Sequence, residues 1–176
     1  SAYRKTPETK EQVDFIARFI NANSSYKEDK AQRVADSIRG CLMTGAAGDA
    51  LGYEVEFMSR RAILSRFGEN GITKFELNSN GKALISDDTQ MTLFTANGLL
   101  TGITMNRMQR LTCRAELIVM AAYLDWFYTQ TREEGKHEQI TWLRELPEMY
   151  HKRAPGNTCM SACANIIDGK DVMNDS

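Results

Sequence analysis

Apolar residues recur three and four positions apart along most of this chain, and that spacing limits the fold more than any other feature. It is the period of one face of an α-helix, whereas a half-buried strand would alternate apolar and polar residues. We therefore predict an all-α fold, in which the stripe from Val34 to Leu42 forms a buried helix face. The stripes are Val13, Ile16, Ala17 and Ile20; Val34, Ile38, Cys41 and Leu42; and Met91, Leu93, Phe94 and Leu99.

Capping residues and helix breakers predict where the other helices begin and end. Ser59 should cap a short helix that ends near Phe67, and a connection rich in Gly and Asn should follow over residues 68–81. Further helices are predicted over residues 111–128, over residues 142–149, and from Asn157 or Thr158 onward. The aromatic residues near position 126 should belong to the core rather than to a base-stacking surface.

The composition is ordinary for a globular protein. The chain has 176 residues, of which 42% are hydrophobic, and a formal net charge of −1. The lack of a basic cluster argues against nucleic-acid binding. No apolar run reaches the ~20 residues of a membrane-spanning helix and no secretory signal is evident, so we expect a cytoplasmic protein without a membrane partner. No repeat or linker is evident either, and we predict one domain over residues 1–176, with residues 1–30 as an N-terminal extension and first helix.

The segment with the most chemistry lies at a predicted helix start and reads Ser86-Asp87-Asp88-Thr89. Asp and Ser/Thr oxygens are donors that Mg²⁺ prefers, and adjacent carboxylates repel each other unless protons or cations neutralise them. The segment therefore predicts a magnesium site. The alternative is ordinary helix capping, with Ser86 as the N-cap and both aspartates in a first turn whose dipole favours negative charge.

A second unusual segment, residues 45–52, consists almost entirely of small residues and contains Asp49. A glycine inside a helix weakens it by about 0.8–1.0 kcal/mol relative to alanine, so its presence there indicates close packing. We therefore expect a central buried helix whose C-terminal end opens at the site. Asp49 should then either cap a helix or support the site through a hydrogen bond.

Three motifs occur in the order found in the ADP-ribosylglycohydrolases of the dinitrogenase reductase-activating glycohydrolase group, which the chain resembles from Val34 onward. They are the small-residue segment that leads to Glu56, the Asp-Asp-Thr helix start, and Arg153-Ala154-Pro155-Gly156-Asn157-Thr158. The resemblance implies a compact orthogonal bundle of helices. It also implies hydrolysis of the glycosidic bond between ADP-ribose and an acceptor such as a protein side chain.

The resemblance further implies roles for individual residues. Ser86, Asp87 and Asp88 would bind metal, as part of a site for two Mg²⁺ ions that activate water and stabilise developing charge. Glu56, Asp87 and Asp88 would be the catalytic residues, with Glu56 as a metal ligand or a general base, whereas Glu54 would be a surface residue. The ligand would be an ADP-ribosylated protein or an ADP-ribose derivative, and the residues that bind it would be Asp49, Gly156, Asn157 and Thr158.

Two motifs of the family do not occur in this sequence. One is the Asp-x-Asp-Thr pattern that supplies the remaining metal ligands, and the other is the Gly-x-Gly-x-Met-Arg loop that wraps the ADP-ribose. The chain therefore resembles the N-terminal portion of the family's domain, and we expect a C-terminal segment or a second chain to complete it. The alternative function is a non-catalytic module of the same fold that binds ADP-ribose or a protein.

Overall fold

The structure, a computed structural model, describes residues 24–109, 114–132 and 138–170. Its backbone is helical, and the described ranges contain no strand, which confirms the all-α prediction. The helices are α1 (Ser24–Tyr53), α2 (Arg60–Phe67), α3 (Asp87–Gln109), α4 (Ala115–Thr131) and α5 (Asn157–Ile167), with two short 3₁₀ helices at Trp142–Glu145 and Pro147–Tyr150. None of the helices in these ranges is both long and apolar enough to cross a membrane. The stripe from Val13 to Ile20 lies outside the described residues.

The chain divides into two compact units, Ser1–Cys41 and Leu42–Ser176. In the first unit, the described part of α1 carries charged pairs one turn apart, including Arg39 with Asp36 at 2.8 Å. Val34 and Ile38 are 52% and 55% exposed, and Cys41 is exposed too, so the predicted buried face is wrong. The apolar residues alternate with charged ones that pair along the helix surface, and such pairs support a solvated helix.

The core of the second unit forms where α4 meets α3, α5 and the 3₁₀ helices. Trp126 and Phe127 are buried in it, as predicted for the aromatic residues. Two glycines of α3 allow α4 to approach closely, because a Cβ at Gly98 would lie 2.7 Å from the Ala122 Cβ and one at Gly102 would lie 2.9 Å from Ile118. The core consists of Phe94, Leu124, Trp126, Phe127, Leu143, Met149 and Cys163.

The small-residue segment of α1 is less buried than the sequence predicts. In residues 45–52 only Ala50 is buried, and a Cβ added at Gly45, Gly48 or Gly52 would meet nothing within 4 Å. The prediction of a central buried helix is therefore wrong for these described residues. Close backbone packing occurs instead in α3, at glycines that the sequence did not single out.

Local signals predicted the starts of α2 and α5, whereas the helix predicted over residues 111–128 runs over Ala115–Thr131. The Ser59 hydroxyl accepts a hydrogen bond from the Ala62 amide at 3.3 Å and caps α2, and α5 begins at Asn157 as expected. Residues 142–149 are an exception, because they form two 3₁₀ helices rather than one α-helix. Pro147 explains the break, since proline lacks an amide hydrogen and keeps the preceding Leu146 extended, at φ −86° and ψ 120°.

Candidate metal and substrate site

The candidate site begins at the N-terminus of α3. Asp87 and Asp88 occupy its first turn, and the buried Ser86 hydroxyl accepts a hydrogen bond from the Asp88 amide at 3.1 Å. This bond is the N-cap that the capping alternative predicts. It leaves both aspartate carboxylates available for other partners, so capping by Ser86 and ligand binding by Asp87 and Asp88 are compatible.

Asp49, near the C-terminal end of α1, fastens the same helix start. Its Oδ2 accepts hydrogen bonds from the Ser86 amide at 2.9 Å, from the Thr89 amide at 3.3 Å and from the Thr89 hydroxyl. Asp49 therefore caps the start of a distant helix through hydrogen bonds, and its role in binding the substrate stays a prediction. A third carboxylate is thereby brought to a helix end that already carries two.

Asp87 links the helix start to the loop before α5. Its amide donates to the Arg153 carbonyl at 2.8 Å, and its Oδ2 accepts from the Gly156 amide at 3.1 Å. Between these contacts Ala154 has a φ of 56°, a conformation that a non-glycine residue rarely adopts. The Asp-Asp-Thr and Arg153–Thr158 motifs, far apart in the sequence, therefore meet at one carboxylate.

The electrostatics of the site favour a positively charged partner. Burial raises the pKa of the Asp87 carboxyl, the negative charges of Asp88 and Asp49 raise it further, and the hydrogen bond from Gly156 partly opposes them. Asp88 is exposed, and its carboxylate has no hydrogen-bond or ion-pair partner among the described residues. A cavity of about 100 Å³ lies beside Asp88 and is also lined by Asp49, Thr89 and Thr92. Carboxylates concentrated in this way are stabilised by a bound cation.

Glu56 lies in the turn that follows α1, where its amide donates to the Tyr53 carbonyl at 3.4 Å. Its side chain is exposed, and within the described ranges its carboxylate forms no hydrogen bond or ion pair. Glu54 instead pairs with Arg66 at 3.0 Å on the surface. The same described ranges hold no cluster of three or more His, Cys, Asp and Glu residues suited to a metal ion. The roles predicted for Glu56 and the metal ligands therefore stay predictions.

The remaining predicted residues lie at the start of α5. Gly156 is the N-cap and makes no side-chain cap, and Asn157 and Thr158 are both exposed. Gly156 is joined to another predicted site residue, Asp87, by its hydrogen bond to the carboxylate. Thr158 borders an apolar cavity of about 490 Å³ between α4 and α5.

Two features of this region were not predicted from the sequence. One is a second cavity, of about 440 Å³, at the end of α1, which Tyr53, Glu54, Phe57, Arg66 and Glu76 line among others. The other is Gln90, which reaches from α3 to the segment that precedes Arg153. The sequence shows a glutamine close to the aspartate pair, but it does not show that this glutamine is buried.

Comparison with known proteins agrees with the order of the motifs. The family model of the ADP-ribosylglycohydrolases matches residues 30–176, which is most of the chain. The chain belongs to the ADP-ribosylglycohydrolase family. The match covers all three motifs, including Asp49, Asp87 and Gly156. Searches of curated protein sequences and of solved structures gave no significant match.

Proposed function

We propose that this ADP-ribosylglycohydrolase domain hydrolyses the glycosidic bond between ADP-ribose and an acceptor, such as a protein side chain, with the help of Mg²⁺. The observation that carries the proposal is the set of hydrogen bonds that joins Asp49 and Gly156 to the start of α3, where Asp87 and Asp88 lie. Asp49 and Gly156 hold this helix end through hydrogen bonds, while the Asp88 carboxylate stays exposed. Membership of the family supports a glycohydrolase in general. A cytoplasmic location is part of the proposal.

The residues at this helix end fit a magnesium ion by their chemistry. Asp87, Asp88 and Ser86 offer oxygen donors, which Mg²⁺ prefers. Burial is the main cause of the raised pKa of Asp87, and the charges of Asp88 and Asp49, which a cation would offset, raise it further. Bound there, Mg²⁺ would supply charge stabilisation at the reacting bond and an activated water. In this proposal Asp87 and Asp88 hold the ion. The ligands that complete the site would come from a further segment or a second chain.

The other residues act on the substrate in this proposal. Glu56 accepts a proton from the attacking water, a role typically worth about 10²–10⁴-fold in rate. Asp49 holds the helix start in place through Ser86 and Thr89. Gly156, Asn157 and Thr158 border the space for the ADP-ribose.

The test is a pair of substitutions, Asp87→Asn with Asp88→Asn, in the natural protein that contains this chain. Release of ADP-ribose from an ADP-ribosylated peptide should lose its dependence on Mg²⁺ and fall to background, while circular dichroism keeps its helical signal. Asp168→Asn is the matched control, because Asp168 is an exposed carboxylate that pairs with Lys170 at 2.7 Å. Unchanged turnover and metal titration in the double variant would contradict the proposal.

One observation favours the alternative, a non-catalytic module that binds ADP-ribose. The Glu56 carboxylate is exposed, and the described residues hold no group of three or more His, Cys, Asp and Glu side chains suited to a metal ion. A binding module would retain ADP-ribose affinity in calorimetry, with or without Mg²⁺, while no preparation released ADP-ribose from the peptide.

A further inference from the structure

Gln90 is buried inside the second unit, one turn after the aspartate pair, and it uses both ends of its amide. The Nε2 donates to the His151 carbonyl at 3.0 Å and lies 3.5 Å from the Met149 carbonyl. The Oε1 accepts from Trp126 Nε1 and from Gln130 Nε2, each at 3.3 Å. Since only 1% of Gln90 is exposed, water does not replace these bonds when one of them is lost.

Gln130 donates to Gln90 and also contacts the Met149 carbonyl, but its other partner differs. It donates to the Thr129 hydroxyl at 2.9 Å and to the Met149 carbonyl at 3.2 Å. It has no bond to His151, and its buried Oε1 has no partner among the described residues. The two glutamines therefore share the core and the Met149 carbonyl, and only Gln90 reaches the His151 carbonyl.

The contact at His151 is followed closely by the loop that meets Asp87. Arg153, two residues later, accepts from the Asp87 amide, and Gly156 donates to the Asp87 carboxylate. Gln90 and Asp87 thus hold this segment at both of its ends. Between them Ala154 keeps its positive φ of 56°, and such a conformation persists only where the surroundings hold it.

We infer that Gln90 is a positioning residue for the candidate site. By holding the His151 carbonyl, it keeps the Arg153 carbonyl and the Gly156 amide where Asp87 can bind both. It thereby orients the Asp87 carboxylate. The inference rests on the proposed function only where it takes this carboxylate to hold a metal ion. Groups that orient metal ligands in this way commonly change metal affinity when they are replaced.

The first measurement is amide hydrogen exchange in Gln90→Met, with Gln130→Met as the matched control. Met has a similar length and no amide group, so each substitution removes one glutamine from the same core network. In Gln90→Met, protection of the Asp87 and Gly156 amides, taken relative to the buried Trp126 amide, should fall by about three- to tenfold, the equivalent of one lost hydrogen bond. In Gln130→Met that ratio should stay as in the wild type.

A second variant covers the case in which Gln90→Met does not fold. In Gln90→Asn the amide is one methylene shorter and cannot reach His151, so the same relative loss of protection is expected. An equal loss of relative protection in the Gln90 and Gln130 variants would show a general structural role and overturn the inference. Unchanged protection at Asp87 and Gly156 in both folded Gln90 variants would overturn it as well.

The second measurement separates this inference from the proposed function. Mn²⁺, used as a paramagnetic substitute for Mg²⁺, should broaden the resonances of residues near Asp88, and its dissociation constant should rise about 10- to 100-fold in Gln90→Met. If the exchange result holds and Mn²⁺ binds nowhere near Asp88 in the wild type, positioning by Gln90 stands and the metal role of Asp87 is wrong. If Mn²⁺ binds with equal affinity to the wild type and to Gln90→Met, orientation of a metal ligand by Gln90 is refuted.

Discussion

Asp49 accepts hydrogen bonds from both the amide and the hydroxyl of Thr89, 40 residues later in the chain. The same Asp49 oxygen also accepts from the Ser86 amide. A free helix N-terminus leaves its first amides without partners, and here a carboxylate from another helix supplies them. The end of α1 and the start of α3 are therefore joined by charge-assisted hydrogen bonds at the site where Asp87 and Asp88 lie.

This contact predicts a graded loss of stability at Asp49. Asp49→Ala should lower the free energy of unfolding by about 1–3 kcal/mol, because it leaves part-buried donors without an acceptor. Asp49→Asn keeps an acceptor oxygen and loses only the charge near the helix dipole, at about 0.3–1 kcal/mol. Urea denaturation measures both. Asp36→Asn, at an exposed carboxylate of α1 that pairs with Arg39, is the control and should cost less than Asp49→Ala, because exposed pairs contribute about 0–1 kcal/mol. An equal loss at Asp36 would contradict the role of Asp49.

The starts of α2 and α5 could be predicted because they depend on local chemistry. Ser59 caps α2 through its own hydroxyl, and Pro155 with Gly156 precedes α5, so neighbouring residues were enough to place these boundaries. The carboxylates Asp87 and Asp88 stood out as hard ligands before any fold was known. The contact between Asp87 and Gly156 was not predicted, since no local rule brings residue 156 to residue 87.

Burial and distant partners could not be predicted in the same way. The glycines of residues 45–52 indicated close packing, yet Gly48 is open and Gly98 is crowded, because crowding depends on which helix lies opposite. In the sequence Gln90 resembles any polar helix residue, because the carbonyls to which it donates lie about 60 residues away. The crowding of a glycine and the partners of Gln90 both depend on tertiary contacts, which the periodicity of the sequence does not predict.

The raised pKa of Asp87 predicts a specific dependence of stability on pH. Burial is the main cause, and the charges of Asp88 and Asp49 add to it. Between the unfolded and the folded pKa the folded protein binds more protons than the unfolded chain, so stability falls as pH rises through that window. The advantage of the wild type over Asp87→Asn should therefore grow on acidification into the window and stay constant above it.

Denaturation in urea at a series of pH values from 7 downward checks this dependence for both proteins. Other carboxylates titrate in both proteins, so the difference between the two curves isolates Asp87. Mg²⁺ should shift the window to lower pH if it binds the ionised carboxylate, whereas K⁺ at equal ionic strength should not. A difference that shrinks on acidification would contradict the predicted direction.

Glu56 and Glu54 provide a matched pair for catalysis. Glu56→Gln should lower kcat by about 10²–10⁴-fold with little effect on ADP-ribose affinity, because it removes a proton acceptor and keeps the shape. Glu54→Gln should change kcat little, since Glu54 pairs with Arg66 on the surface and such pairs contribute about 0–1 kcal/mol to stability. The measurement is peptide de-ADP-ribosylation by the natural protein at saturating substrate. A silent Glu56→Gln with a damaging Glu54→Gln would mean that the catalytic carboxylate has been assigned to the wrong position.

The glycines of α1 and α3 should respond in opposite directions to the same substitution. A Cβ at Gly98 would lie 2.7 Å from the Ala122 Cβ and 3.3 Å from the Ile118 carbonyl oxygen, so Gly98→Ala must push α3 and α4 apart. Such overpacking typically costs about 1–3 kcal/mol. At Gly48 a Cβ would meet nothing within 4 Å, and Gly48→Ala should raise stability by about 0.5–1 kcal/mol through helix propensity alone. Thermal denaturation followed by circular dichroism measures both shifts. A stabilised Gly98→Ala would show that α3 and α4 do not approach as closely as the structure places them.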